Sequence, residues 1–490
     1  LAGAHGVYDD EWWPVGEHFM FGFTFMYGAP DDPLRRDPDE RLMPARYTTI
    51  ALGVLLGLVV FAWARGLWGE RAGLVALVLY CFSPTVLAHT RLATTDLPIA
   101  LGYVATLWCA WRLLRAPSLG RTLLVGLALG AALTIKFSAL LLPPTLAALW
   151  VLWALWAPRG ERRRRWAAGA AALVAIGAVA VVVIWAVYGF RYSISPDATF
   201  RPDPRWPVAE SGSAVALVRA AMANQLLPES YLYGLLRQMW ESGRQPYLNG
   251  RLHDGGVWYY FPEAFLLKST PSLLVLLPWL GLAALYRTRG RSFDGWCVAL
   301  PALLYAAFAV SFAMNIGHRH ILPLYPLLFV LLGGAAVRAA HGPRVARWAL
   351  AVLLAGQVVS GLWSAPRYLS YFNLLAGGPA GGRYYLSDSN LDWGQDLKRL
   401  REKMEEHGLP SVYLLYFGTA DPHAYGIAYR KVRMFYDFHR QQPDVIPPPG
   451  SVVAASLSLM QLQQFALGLL ELEPFDMAGD SIYLYRLPAQ

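Results

Sequence analysis

The sequence predicts an all-α polytopic membrane protein, a bundle of transmembrane helices carrying a small C-terminal α/β domain. Three observations predict it. The 490 residues are 56% hydrophobic and only 15% charged, where a soluble chain carries about a quarter charged residues. Long apolar stretches recur at the length a bilayer demands, about 20 residues. Past residue 365 these stretches stop and a more polar pattern takes over. The same composition excludes a soluble enzyme, a disordered chain and a disulfide-rich secreted module.

In chain order the apolar stretches are 47–64, 73–90, 96–112, 122–135, 138–157, 167–188, 263–286, 294–314, 321–338 and 346–364, each read as a span. The fourth is short and reads as tilted, broken or re-entrant. Alternate short loops carry Arg65 and Arg71; Arg112, Arg115 and Arg121; Arg159 and Arg162 to Arg165; Arg287, Arg289 and Arg291; and Arg338, Arg344 and Arg347. Basic loops stay in the cytoplasm. The segment 1–46, the long loop 189–262 and the tail 366–490 are then expected outside, flanking a transmembrane core at 47–365.

The tail reads as the α/β domain. Ser411–Phe417 and Ser481–Leu487 alternate like strands, and Leu397–His407 and Leu459–Leu470 read as helices. The loop 189–262 is too long to be mere connection, and a helix lying on the membrane is expected near Ser213–Leu227. The net charge of +9 sits in the short loops, so no nucleic-acid partner is expected. Cys81, Cys109 and Cys297 lie in apolar stretches and match no metal spacing.

Ionisable residues at the edge of the apolar block are the informative ones, because burying them is costly. Asp96 stands at the outer start of the third span, before Leu97-Pro98. It is either a helix cap or a catalytic carboxylate able to accept a proton from a hydroxyl. Lys136, Lys268 and Arg319 lie on the same side, as does Arg91. Taken singly, each is a basic side chain snorkelling to an interface. Three exceptions to the basic-loop bias at one level point to an anionic ligand, and a phosphate fits. His318 and His320 flank Arg319. They join this anion-binding set and leave a divalent metal ion open as a cofactor, although no third ligand is evident. Trp258, Tyr259 and Tyr260 are either an interfacial aromatic belt or a platform for a sugar face. In the tail, Asp388, Asn390, Asp392, Trp393, Gln395 and Asp396 form a motif of unassigned role. A calcium loop would need Gly at 393 and Glu at 399, where this chain has Trp393 and Arg399. Asx turns and a helix cap explain most of the motif.

These residues, in this order, resemble a known family. Ala45–Leu142, with Ser83-Pro84, Arg91, Thr95-Asp96 and Leu133-Thr-Ile-Lys136, is similar to bacterial glycosyltransferase family 39, relatives of protein O-mannosyltransferases and of the lipid A aminoarabinose transferase. Trp258–Pro271, Asn315–Pro326, Tyr371-Phe-Asn373, Asp388–Lys398 and Tyr416–Asp421 resemble a bacterial branch of that group. The resemblance implies a GT-C fold in the bacterial inner membrane, with the active site and C-terminal domain on the extracytoplasmic face. It implies transfer of a sugar from a polyprenyl phosphate to an acceptor: lipid, glycan or protein. It places Asp96 at the family's second outer acidic position and makes Lys136, Lys268 and Arg319 contacts to the lipid phosphate. Family members begin with a transmembrane helix and a loop bearing the main catalytic Asp. The chain begins at Leu1, and Asp9, Asp10, Glu11 and Glu17 fit only the later part of that loop, so an N-terminal truncation that removes the principal base is the expectation. The alternative is a transporter or flippase of a phosphorylated lipid. Against it, the charges gather at one side rather than at the midplane.

Overall fold

Two prolines decide where the bundle bends. The computed structural model of the chain describes residues 18–28, 37–195, 208, 211–241, 245–288, 292–311, 314–432, 445–462 and 468–489. Asp9, Asp10, Glu11 and Glu17 lie outside them. After α1 (His18–Tyr27) and the long α2 (Pro38–Trp68), α3 (Glu70–Cys81) gives way to α4 (Pro84–Thr90). Ser83 caps α4 through the N–H of Val86 and Pro84 opens it, a strong restart signal. The pair bends by 67°.

The bundle continues with α5 (Asp96–Arg115), α6 (Leu119–Ile135), α7 (Leu142–Leu155) and α8 (Arg162–Val187). Helices α6 and α8 pack backbone to side chain. A Cβ on Gly126 would stand 2.6 Å from Val179 Cβ, and one on Gly130 2.5 Å from Val183 Cβ. That is the small-xxx-small spacing that lets membrane helices approach closely. Helices α9 (Ser213–Ala223) and α10 (Glu229–Glu241) and a short hairpin, β1 (Tyr247–Leu248) and β2 (Arg251–Leu252), occupy the long loop.

The expected single span at 263–286 is two helices. α11 (Tyr260–Lys268) ends at Ser269, which is extended, and α12 (Pro271–Thr288) starts at a 113° bend. Thr270 Oγ1 accepts from the Leu273 N–H at 3.2 Å, and a residue before proline avoids the helical region. Capping chemistry thus overrides the unbroken apolar run. The bundle closes with α13 (Phe293–Ser311), α14 (Leu324–Ala340) and α15 (Arg344–Trp363). Buried Gln357 on α15 donates to Phe82 O at 3.0 Å and accepts from Thr270 Oγ1, tying both breaks together.

Among the described residues six helices are long and apolar enough to cross a membrane, or eight if each bent pair is one span. The chain is a multi-pass membrane protein. Two expected spans are shorter than about 20 residues: α6, and also α14, with 17 residues each.

The C-terminal segment holds a five-stranded sheet in the order β4 (Tyr429–Lys431), β3 (Val412–Leu415), β5 (Val452–Ser456), β7 (Ile482–Arg486), β6 (Asp476–Ala478), with α16 (Gly378–Gly382), α17 (Leu397–Glu406) and α18 (Leu457–Leu462). β3 pairs in parallel with β4 and β5, and β7 runs antiparallel to β5 and β6. Leu415, Val453, Ala455, Tyr483 and Tyr485 share a core with the helical bundle; Leu414, Ala454, Ile482 and Leu484 face a second core with Leu397, Leu400 and Met404 of α17. The period-two alternation of strands sorts the residues between these cores. Both faces of β5 are therefore buried, so its run Val452–Ser456 shows no polar alternation.

Candidate active site

Asp96 is the centre of the site. It occupies the first turn of α5 and is 2% exposed. Its carboxylate does not cap the helix. Lys136, the extended residue that follows α6, donates from Nζ to Asp96 Oδ1 at 2.6 Å. Arg319, on the 3₁₀ turn His318–Ile321, places Nη1 3.7 Å from Asp96 Oδ2. Both carboxylate oxygens of Asp96 therefore face cations.

The two cations have donors to spare. An ammonium carries three N–H groups and a guanidinium five. Among the described residues Lys136 spends one on Asp96, whereas Arg319 makes no hydrogen bond and its Nε is buried without a partner. Their side chains are 21% and 17% exposed. A buried donor left unmade costs about 1–3 kcal/mol, and among the described residues Arg319 Nε carries that cost.

Lys268, expected as a third phosphate contact, turns two of its donors to the protein. It is buried, and Nζ donates to Leu369 O at 2.7 Å and Asn390 O at 2.5 Å, with the ammonium 4.2 Å from the Phe372 ring centroid. It is a structural bolt between α11 and the C-terminal segment. Lys268→Met is expected to lower stability by about 2–6 kcal/mol, the cost of two orphaned carbonyls at about 1–3 kcal/mol each. It should leave lipid-phosphate affinity within about twofold. Thermal unfolding and lipid titration separate the two effects; lost affinity at unchanged stability would restore the ligand role.

Arg91 is exposed and donates to Pro366 O at 2.7 Å, a link to the tail rather than to the site. His318 is buried: its N–H donates to Asn390 Oδ1 at 2.8 Å, and Nε2 meets Tyr325 Oη at 2.7 Å. Burial, with Lys268 nearby, holds His318 well below the ordinary imidazole range, and burial does the same to His320 beside Lys136 and Arg319. Neither is grouped with enough other ligands for a metal. Among the described residues His, Cys, Asp and Glu side chains converge in threes only at Glu406, His407 and Asp476 on the C-terminal domain, where Lys403 already pairs with both acids. Trp258 is 68% exposed, while Tyr260 is buried and its hydroxyl accepts from Asn390 Nδ2 at 2.9 Å. The aromatic run therefore splits, with Trp258 and Tyr259 toward the surface and Tyr260 in the core.

The tail motif runs beside the site. Ser389 Oγ donates to Ile316 O at 2.9 Å, and Asn390 bonds the Arg319-bearing turn through His318. Asp392 Oδ1 accepts from the Gly394 N–H at 2.9 Å, an Asx turn as expected. At Asp396, the N-cap position of α17, the side chain makes no capping hydrogen bond. Its carboxylate instead accepts from Ser481 Oγ at 2.8 Å and pairs with Arg399 at 3.2 Å. Asp388 takes a left-handed backbone (φ 57°) and Gln395 is exposed.

Asp392 is fully buried, and burial pushes its carboxyl well above the ordinary range. A raised folded value means that the folded state binds the extra proton. Its contribution to stability is fully present below about pH 4, the unfolded value, and is lost as pH rises through the folded value. Asp392→Asn is therefore expected to flatten the loss of unfolding temperature between acid and neutral pH. An unchanged slope would remove Asp392 from that loss.

His89 escaped the sequence reading. It is 4% exposed, lies within electrostatic reach of Asp96, Arg319, Lys268 and Lys136, and has a buried Nδ1 without a hydrogen-bond partner among the described residues. The signal was present: it is an ionisable residue inside the apolar stretch 73–90.

Beside this cluster lies an apolar cavity of about 550 Å³ between α12, α13 and α14. Phe261, Phe265 and Ile321 line it at the site end, and Trp68 and Arg338 at the other. The Phe261 ring sits 6.3 Å from that of His320.

Fold and site together define a multi-pass helical membrane protein with an ionic cluster of Asp96, Lys136 and Arg319 at one end of its bundle. Residues 39–185, from α2 into α8, match the family described as dolichyl-phosphate-mannose-protein mannosyltransferase, so the resemblance to these glycosyltransferases is shown over that segment. No curated relative matches the chain by sequence. Among solved structures the chain is similar to ArnT from Cupriavidus metallidurans. With undecaprenyl phosphate bound, that protein is 14% identical at a TM-score of 0.45, over 96% of this chain and 87% of that one. In the apo state the values are 13%, 0.47, 95% and 86%. An Archaeoglobus fulgidus oligosaccharyltransferase tethered with an acceptor peptide is 15% identical at a TM-score of 0.39, over 84% of this chain and 54% of that one.

Proposed function

We propose that the protein is an integral-membrane glycosyltransferase that moves a sugar from a polyprenyl phosphate to an acceptor at the extracytoplasmic face of a bacterial inner membrane. One observation carries the reading: Lys136 and Arg319 keep unspent donors, and Ile321, two residues along the turn that carries Arg319, lines an apolar cavity. A charged head on a long apolar tail is the ligand that satisfies both halves. The polyprenyl chain lies in the cavity past Phe261 and Ile321, and the phosphate meets the two cations.

The bond from the anomeric carbon to the phosphate oxygen breaks as a bond from an acceptor oxygen forms on the opposite face, with inversion. The acceptor hydroxyl's proton passes to the departing phosphate, whose newly freed oxygen takes it up. Negative charge grows on the departing phosphate, and Lys136 and Arg319, already aligned by Asp96, stabilise it without reorganising. The Trp258 and Tyr259 surface offers ring faces to the acceptor.

Undecaprenyl phosphate is expected to raise the unfolding temperature of the protein in detergent, and the uncharged alcohol of the same chain to raise it far less. Equal protection by the alcohol would sink the phosphate half of the proposal.

A further inference from the structure

We propose that Trp393 is a positioning residue for lipid-phosphate binding, supplied by the C-terminal domain to hold the guanidinium of Arg319. The inference rests on the lipid-phosphate reading of the site and gives the tail motif its role. Arg319 Cζ lies 4.3 Å from the centroid of the Trp393 ring. A guanidinium stacks by its face and donates from its edge. The indole therefore occupies one face and leaves the N–H edge for Asp96 and an anion. Among the described residues no hydrogen bond orients Arg319, so the stack and the distant pairing with Asp96 are what hold it.

Trp393 has little freedom of its own. Its N–H donates to Gln395 Oε1 at 2.7 Å, and Gln395 Nε2 returns to Leu391 O at 3.1 Å. The next residue, Gly394, takes φ +70°, and Tyr416 Oη donates to its carbonyl at 2.7 Å. A Cβ there would lie 2.5 Å from Tyr416 Oη, so only glycine makes the turn that aims the indole. Upstream, Lys268 and Tyr260 bolt Asn390 to α11. The same Asn390 holds the backbone of the turn that carries Arg319. Residues 389–394 thus fix Arg319 twice, by the main chain of its turn and by the face of its side chain.

The test measures binding of undecaprenyl phosphate to the protein in nanodiscs. Trp393→Leu keeps an apolar side chain and removes the ring. It should weaken binding about tenfold, while Trp393→Phe, which keeps a ring face, stays within about threefold of the parent. In an Arg319→Gln background Trp393→Leu should cost nothing more, because the two act as one unit. Unfolding temperatures without lipid identify any variant that has lost its fold, and Trp393→Met, which also lacks the ring, carries the comparison if Trp393→Leu does. Parent-like binding by Trp393→Leu, or an equal loss in the Arg319→Gln background, would overturn the proposal and leave the lipid-phosphate reading intact. Parent-like binding by Arg319→Gln itself would overturn that reading, and this one with it.

Discussion

Arg319→Gln is expected to cut turnover by about 10²–10³-fold, the loss seen when one preorganised donor to developing charge is removed. The neutral amide keeps polarity and much of the length but loses the charge that faces the departing phosphate. Arg319→Lys should recover only part of the rate. A lysine offers a point charge without the planar fork, and it stacks less well on Trp393. The measurement is the initial rate at which labelled sugar leaves a polyprenyl phosphate. Turnover by Arg319→Gln within about twofold of the parent would take the residue out of the chemistry, because an oxyanion-type contact cannot be lost so cheaply.

Asp96→Asn is expected to produce a different signature. Removing the carboxylate leaves Lys136 and Arg319 facing each other with no counter-charge in a site where Asp96 is 2% exposed. Breaking a buried pair by deleting one partner costs about 3–5 kcal/mol, so the unfolding temperature without lipid should fall sharply. An anion that enters the site can replace the lost charge. Undecaprenyl phosphate should therefore restore more stability to Asp96→Asn than to the parent, and its affinity should not weaken. Turnover should still fall, because the cations are no longer aligned before the reaction. A counter-ion role requires this combination of lost rate and retained or improved lipid binding. Undiminished turnover would remove Asp96 from the mechanism, and weakened lipid binding would contradict its role as a charge partner.

Much of the architecture was legible in the sequence because a bilayer imposes a length on apolar runs. The breaks were less so. Hydropathy reads across Ser269-Thr270-Pro271 without pause, whereas the chain turns there by 113° because Thr270 caps and Pro271 restarts the helix. In the C-terminal sheet, β3 and β7 lie within alternating stretches, but β5 is buried on both faces by two different cores and lost its signature. At the site, burial cost singled out Asp96, Lys136 and Arg319, and the structure brings them together. The same argument could not separate Lys268 from them. Whether a lysine's donors face a ligand or a carbonyl depends on Leu369 and Asn390, far along the chain. Trp393 was visible as part of a motif, but its target lies 74 positions earlier and only the fold brings them into contact.

The most direct measurement places the protein in proteoliposomes with polyprenyl phosphates bearing labelled mannose or glucose. An envelope fraction serves as acceptor, and the position of label and lipid is followed together. Glycosyl transfer predicts that label leaves the lipid and enters the acceptor fraction, and that Arg319→Gln slows the transfer about 10²–10³-fold while the lipid stays in its leaflet. Lipid that crosses the bilayer with its label still attached, at a rate set by the same residues, would contradict transfer and make the charged end of the bundle a gate for lipid transport.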